Sequence, residues 1–219
     1  MALWGGYAMR KVLFSVLGSG VIVLALGTGT SAVMATTVTT WTITPGGTVT
    51  GTAGTTVVTD TTTTTQATCT SSTLGATLKS GTGQTNPLGK ITSAAYNSCT
   101  ALGYAESITA SASSKKPWLL RGATYRNGVT HGTISNVRTS FSIASPLGGC
   151  HGIVAGTSAT APAHISFTYD NATGVLTTSG GNMHAWNVTG LCNGNINSGD
   201  PVTVVGTYTI SPGQTITRP

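Results

Sequence analysis

Ala163-His164-Ile165-Ser166-Phe167-Thr168-Tyr169 carries an apolar side chain at every odd position and a polar one at every even position. Successive side chains of an extended chain point to opposite faces, so this period of two predicts a strand with one buried and one wetted face. The same alternation runs from Val202 to Ile210, where Val202, Val204, Gly206, Tyr208 and Ile210 share one face and Thr203, Thr207 and Thr209 the other. Val137, Phe141 and Ile143 repeat it around Arg138. No window of comparable length shows the i, i+3, i+4 spacing of an amphipathic helix.

Turn chemistry joins such runs. Asn127-Gly128 separates Ala123-Thr124-Tyr125-Arg126 from Val129-Thr130-His131, and this dipeptide favours a two-residue hairpin because both of its residues tolerate positive φ. Asp170 to Gly174 forms a longer turn between the Phe167 and Val175 segments. Upstream, 19 of the 35 residues from Thr36 to Thr70 are threonine. Threonine is β-branched and suits a pleated backbone, so Trp41-Thr42-Ile43-Thr44 and Thr55-Thr56-Val57-Val58-Thr59 read as strands. The run Thr61 to Thr65 has no apolar partners and reads as an edge strand or a linker. The expected fold is all-β, an antiparallel sandwich or barrel stabilised by two disulfides.

The amino end has the layout of an export signal. Arg10 and Lys11 precede the apolar run Val12 to Leu26, and small residues follow up to Ala35. A run of about 15 residues is short for a membrane-spanning helix, and Val33-Met34-Ala35 fits a signal-peptidase site. Residues 1–35 are therefore expected to be a signal peptide and residues 36–219 a single secreted domain with no membrane segment after processing. Outside the cytoplasm four cysteines imply two disulfides. Of the three possible pairings the neighbours are favoured, Cys69 with Cys99 and Cys150 with Cys192. Loops of that size contribute about 3 to 4 kcal/mol each by restricting the unfolded chain.

Charge excludes several function classes. The ten Lys and Arg residues against four acids give a formal charge of +6, which falls to +4 without Arg10 and Lys11. The remaining bases form no run longer than Lys115-Lys116. Nucleic-acid binding needs clustered phosphate contacts and is not expected. There is no C-x-x-C, no His pair at metal-binding spacing, and only Cys150-His151 sets two ligand types side by side; neither a metal nor a cofactor is expected.

The stretches Trp41-Thr42-Ile43-Thr44-Pro45-Gly46-Gly47, Cys69-Thr70-Ser71-Ser72, Leu78-Lys79-Ser80-Gly81, Asn182-Met183-His184-Ala185-Trp186-Asn187-Val188, Asn197-Ser198-Gly199-Asp200-Pro201 and Gly206-Thr207-Tyr208-Thr209-Ile210-Ser211-Pro212 resemble a group of small secreted actinomycete proteins that is functionally uncharacterised. The resemblance spans essentially the whole mature chain. It implies export and one domain, and no activity.

Chemistry is left to a few side chains. The acids are Asp60, Glu106, Asp170 and Asp200. Asp170 and Asp200 sit in turn sequences, where such side chains bond nearby amides. Glu106 shares a face with Tyr104, Ile108 and Ala110 and reads as an exposed or edge carboxylate; if that face is instead the core, Glu106 needs a partner such as Arg121 or its pKa rises. No G-x-S-x-G nucleophile elbow occurs, and no catalytic residue is assigned. The candidate ligand-binding residues are Trp118, His184 and Trp186: His184 and Trp186 fall on one face of a strand with Val188, and an aromatic face beside a polar group suits sugars, while core packing is the competing reading for both tryptophans. The leading function is a non-catalytic extracellular or cell-envelope module with a possible glycan ligand. A hydrolase, in which Glu106 or Asp60 meets a histidine in a pocket, and a membrane-active or self-assembling β protein are the alternatives. No pattern sets an oligomeric state.

Overall fold

A computed structural model describes residues 38–146, 148–192 and 194–219; the expected signal peptide, 1–35, lies outside them. Strands β1 (Trp41–Thr44), β2 (Gly47–Asp60), β3 (Gln66–Leu78), β4 (Gly81–Gln84) and β5 (Gly89–Ala101) come first in the chain. They are followed by β6 (Tyr104–Ala110), β7 (Trp118–Arg126), β8 (Val129–Val137), β9 (Thr139–Ile143) and β10 (Cys150–Ala155). The last five are β11 (Ala163–Asp170), β12 (Val175–Gly181), β13 (Met183–Gly190), β14 (Pro201–Ser211) and β15 (Thr215–Thr217). The fold is all-β and every pairing among these strands is antiparallel.

Twelve strands form one sheet that closes on itself twice. The lower ring runs β12-β11-β8-β7-β5-β3-β2-β14 and closes through β12–β14; the upper ring runs β14-β13-β10-β9-β6-β5-β3-β2 and closes through β5–β6. Both contain β5, β3, β2 and β14, which are long enough to serve two partners each. β5 pairs with β7 through Gly89 to Ile91 and with β6 through Ala95 to Ala101. β14 pairs with β13 at Pro201 and Val202 and with β12 from Gly206 to Thr209. Of the sandwich and the barrel, the closed barrel is the form taken, doubled along a shared wall.

The alternation read from the sequence sets the inner face. Ala163, Ile165, Phe167 and Tyr169 are buried, as are Val202, Val204, Gly206 and Tyr208. Asn127 and Gly128 both take positive φ, 50° and 86°, and close the β7–β8 hairpin. In β2 the inward set changes phase: Val49, Gly51 and Ala53 face in below, Thr56 and Asp60 above. The pairing with β14 slips by one residue at the same place. β3 changes phase opposite, from Ala67 and Cys69 to Ser72 and Leu74. These slips mark the waist between the rings, where the inner positions hold hydroxyls. Thr56 Oγ1 and Ser72 Oγ are 2.7 Å apart, and Ser72 Oγ donates to Tyr208 Oη at 3.0 Å.

The Thr61–Thr65 run is the β2–β3 turn, not an edge strand or a linker. Asp60 Oδ1 accepts from the amides of Thr62 and Thr63 at 2.9 and 3.1 Å, which ends β2 and fixes the bend. A separate three-stranded sheet, β15-β1-β4, covers the far end of the lower ring. Fully buried Trp41 packs against Gly122 of β7, and Thr130 and Asn171 donate to the Ile216 carbonyl. The disulfides join Cys69 to Cys99 and Cys150 to Cys192, the neighbour pairing. The first ties β3 to β5 and the second ties β10 to the connection after β13. No helix among the described residues is long and apolar enough to cross a membrane.

Candidate functional site

Four connections gather at the outer end of the upper ring, described over residues 61–65, 102–103, 144–146 with 148–149, and 191–192 with 194–200. The last is the longest. It is held by the Cys150–Cys192 disulfide and by a 2.6 Å hydrogen bond from Thr63 Oγ1 to the Asn195 carbonyl, and it lays Ile196 over the ring interior. Beneath lies a cavity of about 60 Å³ walled by Val58, Ile108, Val137, Phe141, Met183 and Val204 among others. On a scale where one water needs about 10–15 Å³, that is room for roughly four to six waters. A second cavity of about 40 Å³ occupies the lower ring. Its amide-bearing residue, Gln214, is committed elsewhere: Oε1 accepts from Gly46 N at 2.8 Å and Nε2 donates to the Pro212 carbonyl at 3.0 Å.

Glu106 stands in the wall of the upper cavity. It pairs across the sheet with Cys99 and Ile143 and faces inward with Ile108. Its Oε2 is buried without a hydrogen-bond partner, and burial pushes the carboxyl up to about 7. The expected partner, Arg121, lies on an exposed face of the lower ring, where its Nε donates to Ser135 Oγ. Asp60, 5% exposed, also reaches the cavity. Its Oδ1 is used by the turn, while Oδ2 is buried and unpartnered. Desolvation raises its pKa above the ordinary carboxylate value; the Thr63 and Thr62 amides oppose this, and the Asp200 carboxyl within hydrogen-bonding reach adds to it. Two acceptors side by side repel unless a proton or a cation joins them. Tyr96 also lines this cavity, its phenol pushed up by burial and by Tyr208.

The structure separates the three residues proposed as a platform. Trp118, 2% exposed, is a core residue whose Nε1 donates to Ser111 Oγ at 3.2 Å, so it offers no ring face to solvent and does not join Trp186. A Trp at the head of a strand that alternates Trp118, Leu120 and Gly122 inward fills the core before it can serve a surface. His184 and Trp186 are together on the outer face of β13, half-buried, with ring centroids 6.1 Å apart. Trp186 Nε1 donates to the Gly156 carbonyl at 2.9 Å, which leaves only the ring face free. Neither residue reaches the cavity. Asp170 and Asp200 hold turns: Asp170 Oδ1 accepts from Ala172 N, and Asp200 Oδ2 from both nitrogens of Asn197.

The sequence reading brought Asp60 to a pocket only within the hydrolase alternative, beside a histidine the cavity lacks, and the one local signal was its isolation as an acid after Thr55-Thr56-Val57-Val58-Thr59. Comparison with protein-family models, with curated proteins and with solved structures finds no match to this chain.

Proposed function

We propose that the protein is a secreted, non-catalytic binding module of the extracellular space or cell envelope, and that its ligand enters the upper ring. The observation that carries this reading is the inward-facing Glu106 carboxyl, which leaves one oxygen without a partner in an apolar wall. A buried polar group without a hydrogen bond costs about 1–3 kcal/mol, and a ligand that supplies the donor recovers it. Two disulfides support an oxidising compartment.

The alternatives have less behind them. A hydrolase built on Glu106 or Asp60 and a histidine lacks support because no histidine is among the residues that line the cavity. Self-assembly through sheet edges loses its basis in the two rings, since neither has an end strand. A glycan surface keeps one supporting observation, the half-buried His184–Trp186 pair; Trp186→Ala on a glycan array is its test.

The cavity reading is tested by titrating the exported, disulfide-bonded protein with n-butanol and following the methyl resonances of Ile108 and Met183 above and Leu176 below. Saturable shifts confined to Ile108 and Met183, and abolished by the space-filling Val204→Phe, are expected. Shifts that never saturate, or that are equal at Leu176, overturn it.

A further inference from the structure

The acids are distributed unevenly. Asp60, Glu106 and Asp200, three of the four in the chain, lie at the outer end of the upper ring. The four connections at that end contain no Lys or Arg, although the chain as a whole is cationic. The bases lie elsewhere: Arg121 and Arg126 are on β7, Lys90 is on the part of β5 that belongs to the lower ring, and Arg138 is engaged with the Ala159 carbonyl. A cleft lined by one sign of charge, with low-dielectric walls, concentrates ligands of the opposite sign.

Resting on the cavity reading above, we propose that the ligand is a small primary amine bound as its ammonium ion, with the nitrogen on Glu106 and a short alkyl chain among Ile108, Val137, Phe141 and Val204. Four independent features converge on this class. The wall is apolar, so the body of the ligand is hydrocarbon. The unpartnered oxygens, Glu106 Oε2 and that of the 95%-buried Asp60, are acceptors, so the ligand brings donors. An ammonium offers three donors and no acceptor. The concentration of acids without bases favours a cation over a neutral alcohol and disfavours an anion. The space of a few waters limits the chain to a few carbons. Asp60 and Glu106 are separated by β3 and β5, about 14 Å along the wall at the usual strand spacing. Glu106 is therefore the seat, while Asp60 with Asp200 supplies field at the entrance.

The test compares n-butylamine with n-butanol, which match in heavy atoms, by titration of the exported, disulfide-bonded protein at a pH above 7. Both compounds donate to the Glu106 carboxylate, but only the ammonium also brings the opposite charge, so the amine is expected to bind about tenfold more tightly than the alcohol. Glu106→Gln should bring the two within about twofold, because the amine loses far more affinity than the alcohol, and Asp60→Asn should keep most of the preference. The wild-type protein provides the same test without a substitution: well below pH 7 Glu106 takes up a proton and the preference falls. The groups facing Glu106 from β5 and β9, Cys99 in its disulfide and Ile143, do not titrate; the cavity's other ionisable residues are Tyr96 and Asp60, the latter beside Asp200. Equal affinities in the wild type, or a preference that survives Glu106→Gln, overturn the ammonium assignment and leave the cavity reading standing. No saturable binding of either compound overturns both.

Discussion

The burial of Glu106 fixes how the stability of the ligand-free protein depends on pH. In the unfolded chain its carboxyl titrates near the ordinary 4.5; in the fold it is held up at about 7. Between these values the folded protein keeps a proton that the unfolded chain has released, so stability falls as pH rises. The contribution is fully present below about 4.5 and lost once pH passes about 7. At about 1.4 kcal/mol for each pH unit of difference, the loss reaches about 3 kcal/mol in the limit. Partial access to solvent reduces this to ~2 kcal/mol. Asp60, also shifted upward, acts in the same direction.

Urea unfolding of the wild type, Glu106→Gln and Asp60→Asn across this pH range measures the effect. Glutamine resembles the protonated acid in shape and cannot ionise. The wild type and Glu106→Gln should therefore have similar stability near the acid end and separate above pH 7, with the variant ahead by ~2 kcal/mol. Asp60→Asn should remove a smaller part of the slope while keeping the turn, because the asparagine carbonyl can still accept the Thr62 and Thr63 amides. If wild-type stability is flat or rises over this interval, or Glu106→Gln is the less stable protein above pH 7, Glu106 is not held in an apolar wall and the reasoning fails.

Replacing Cys69 and Cys99 together by alanine should lower unfolding stability by about 3 to 4 kcal/mol, since the bond closes a loop of 30 residues; an unchanged urea midpoint would show that the crosslink is absent in solution. Trp118→Ala should cost about 3–5 kcal/mol and half-buried Trp186→Ala much less, as read by thermal unfolding; equal losses would contradict their placement inside and outside the wall. At Gly132, a methyl group would strike the Arg121 carbonyl and the Phe167 ring, so Gly132→Ala should destabilise by about 1–3 kcal/mol or more. Ser72→Ala leaves Thr56 and Tyr208 without their shared hydroxyl at the waist and should cost about 1–3 kcal/mol by the same assay.

β11 was legible because its alternation is unbroken from Ala163 to Tyr169, β14 because exposed Val205 is the one apolar break in its polar face, and β7–β8 because Asn127-Gly128 admits one kind of turn. The doubling of the barrel was not legible. β2, β3 and β5 each change inward phase along their length, so the period-two signal cancels within the strand. In β2 the first half buries odd positions and the second half even ones, which a single template reads as a uniform threonine strand. Closure depends on β14 and β5 each taking two partners, a property of pairing partners far apart in sequence that no local window contains.

The candidate site divides in the same way. Parity put Glu106 on the face of Ile108 because β6 keeps one phase, but did not show that this face is buried, and the proposed Arg121 partner failed because charge complementarity alone carries no information about which ring a residue faces. Asp60 was hidden by the phase change at the waist: counted from Val49, an even position should face solvent, and it faces in only because the strand slips before Thr56. Asp200 gave a turn reading that is correct for Oδ2, yet its carboxyl also stands beside Asp60 because the β13–β14 connection returns over the ring end. The acidic entrance thus arises from three residues spaced across the whole chain, each individually ordinary. Charge elsewhere on the protein is sparse and, apart from Asp170, positive, so moving one of these acids to the lower ring would leave the net charge unchanged and remove the asymmetry. A shifted-acid variant, Asp60→Asn combined with Thr124→Asp on exposed β7, should therefore weaken n-butylamine binding while leaving n-butanol binding and pI unaltered.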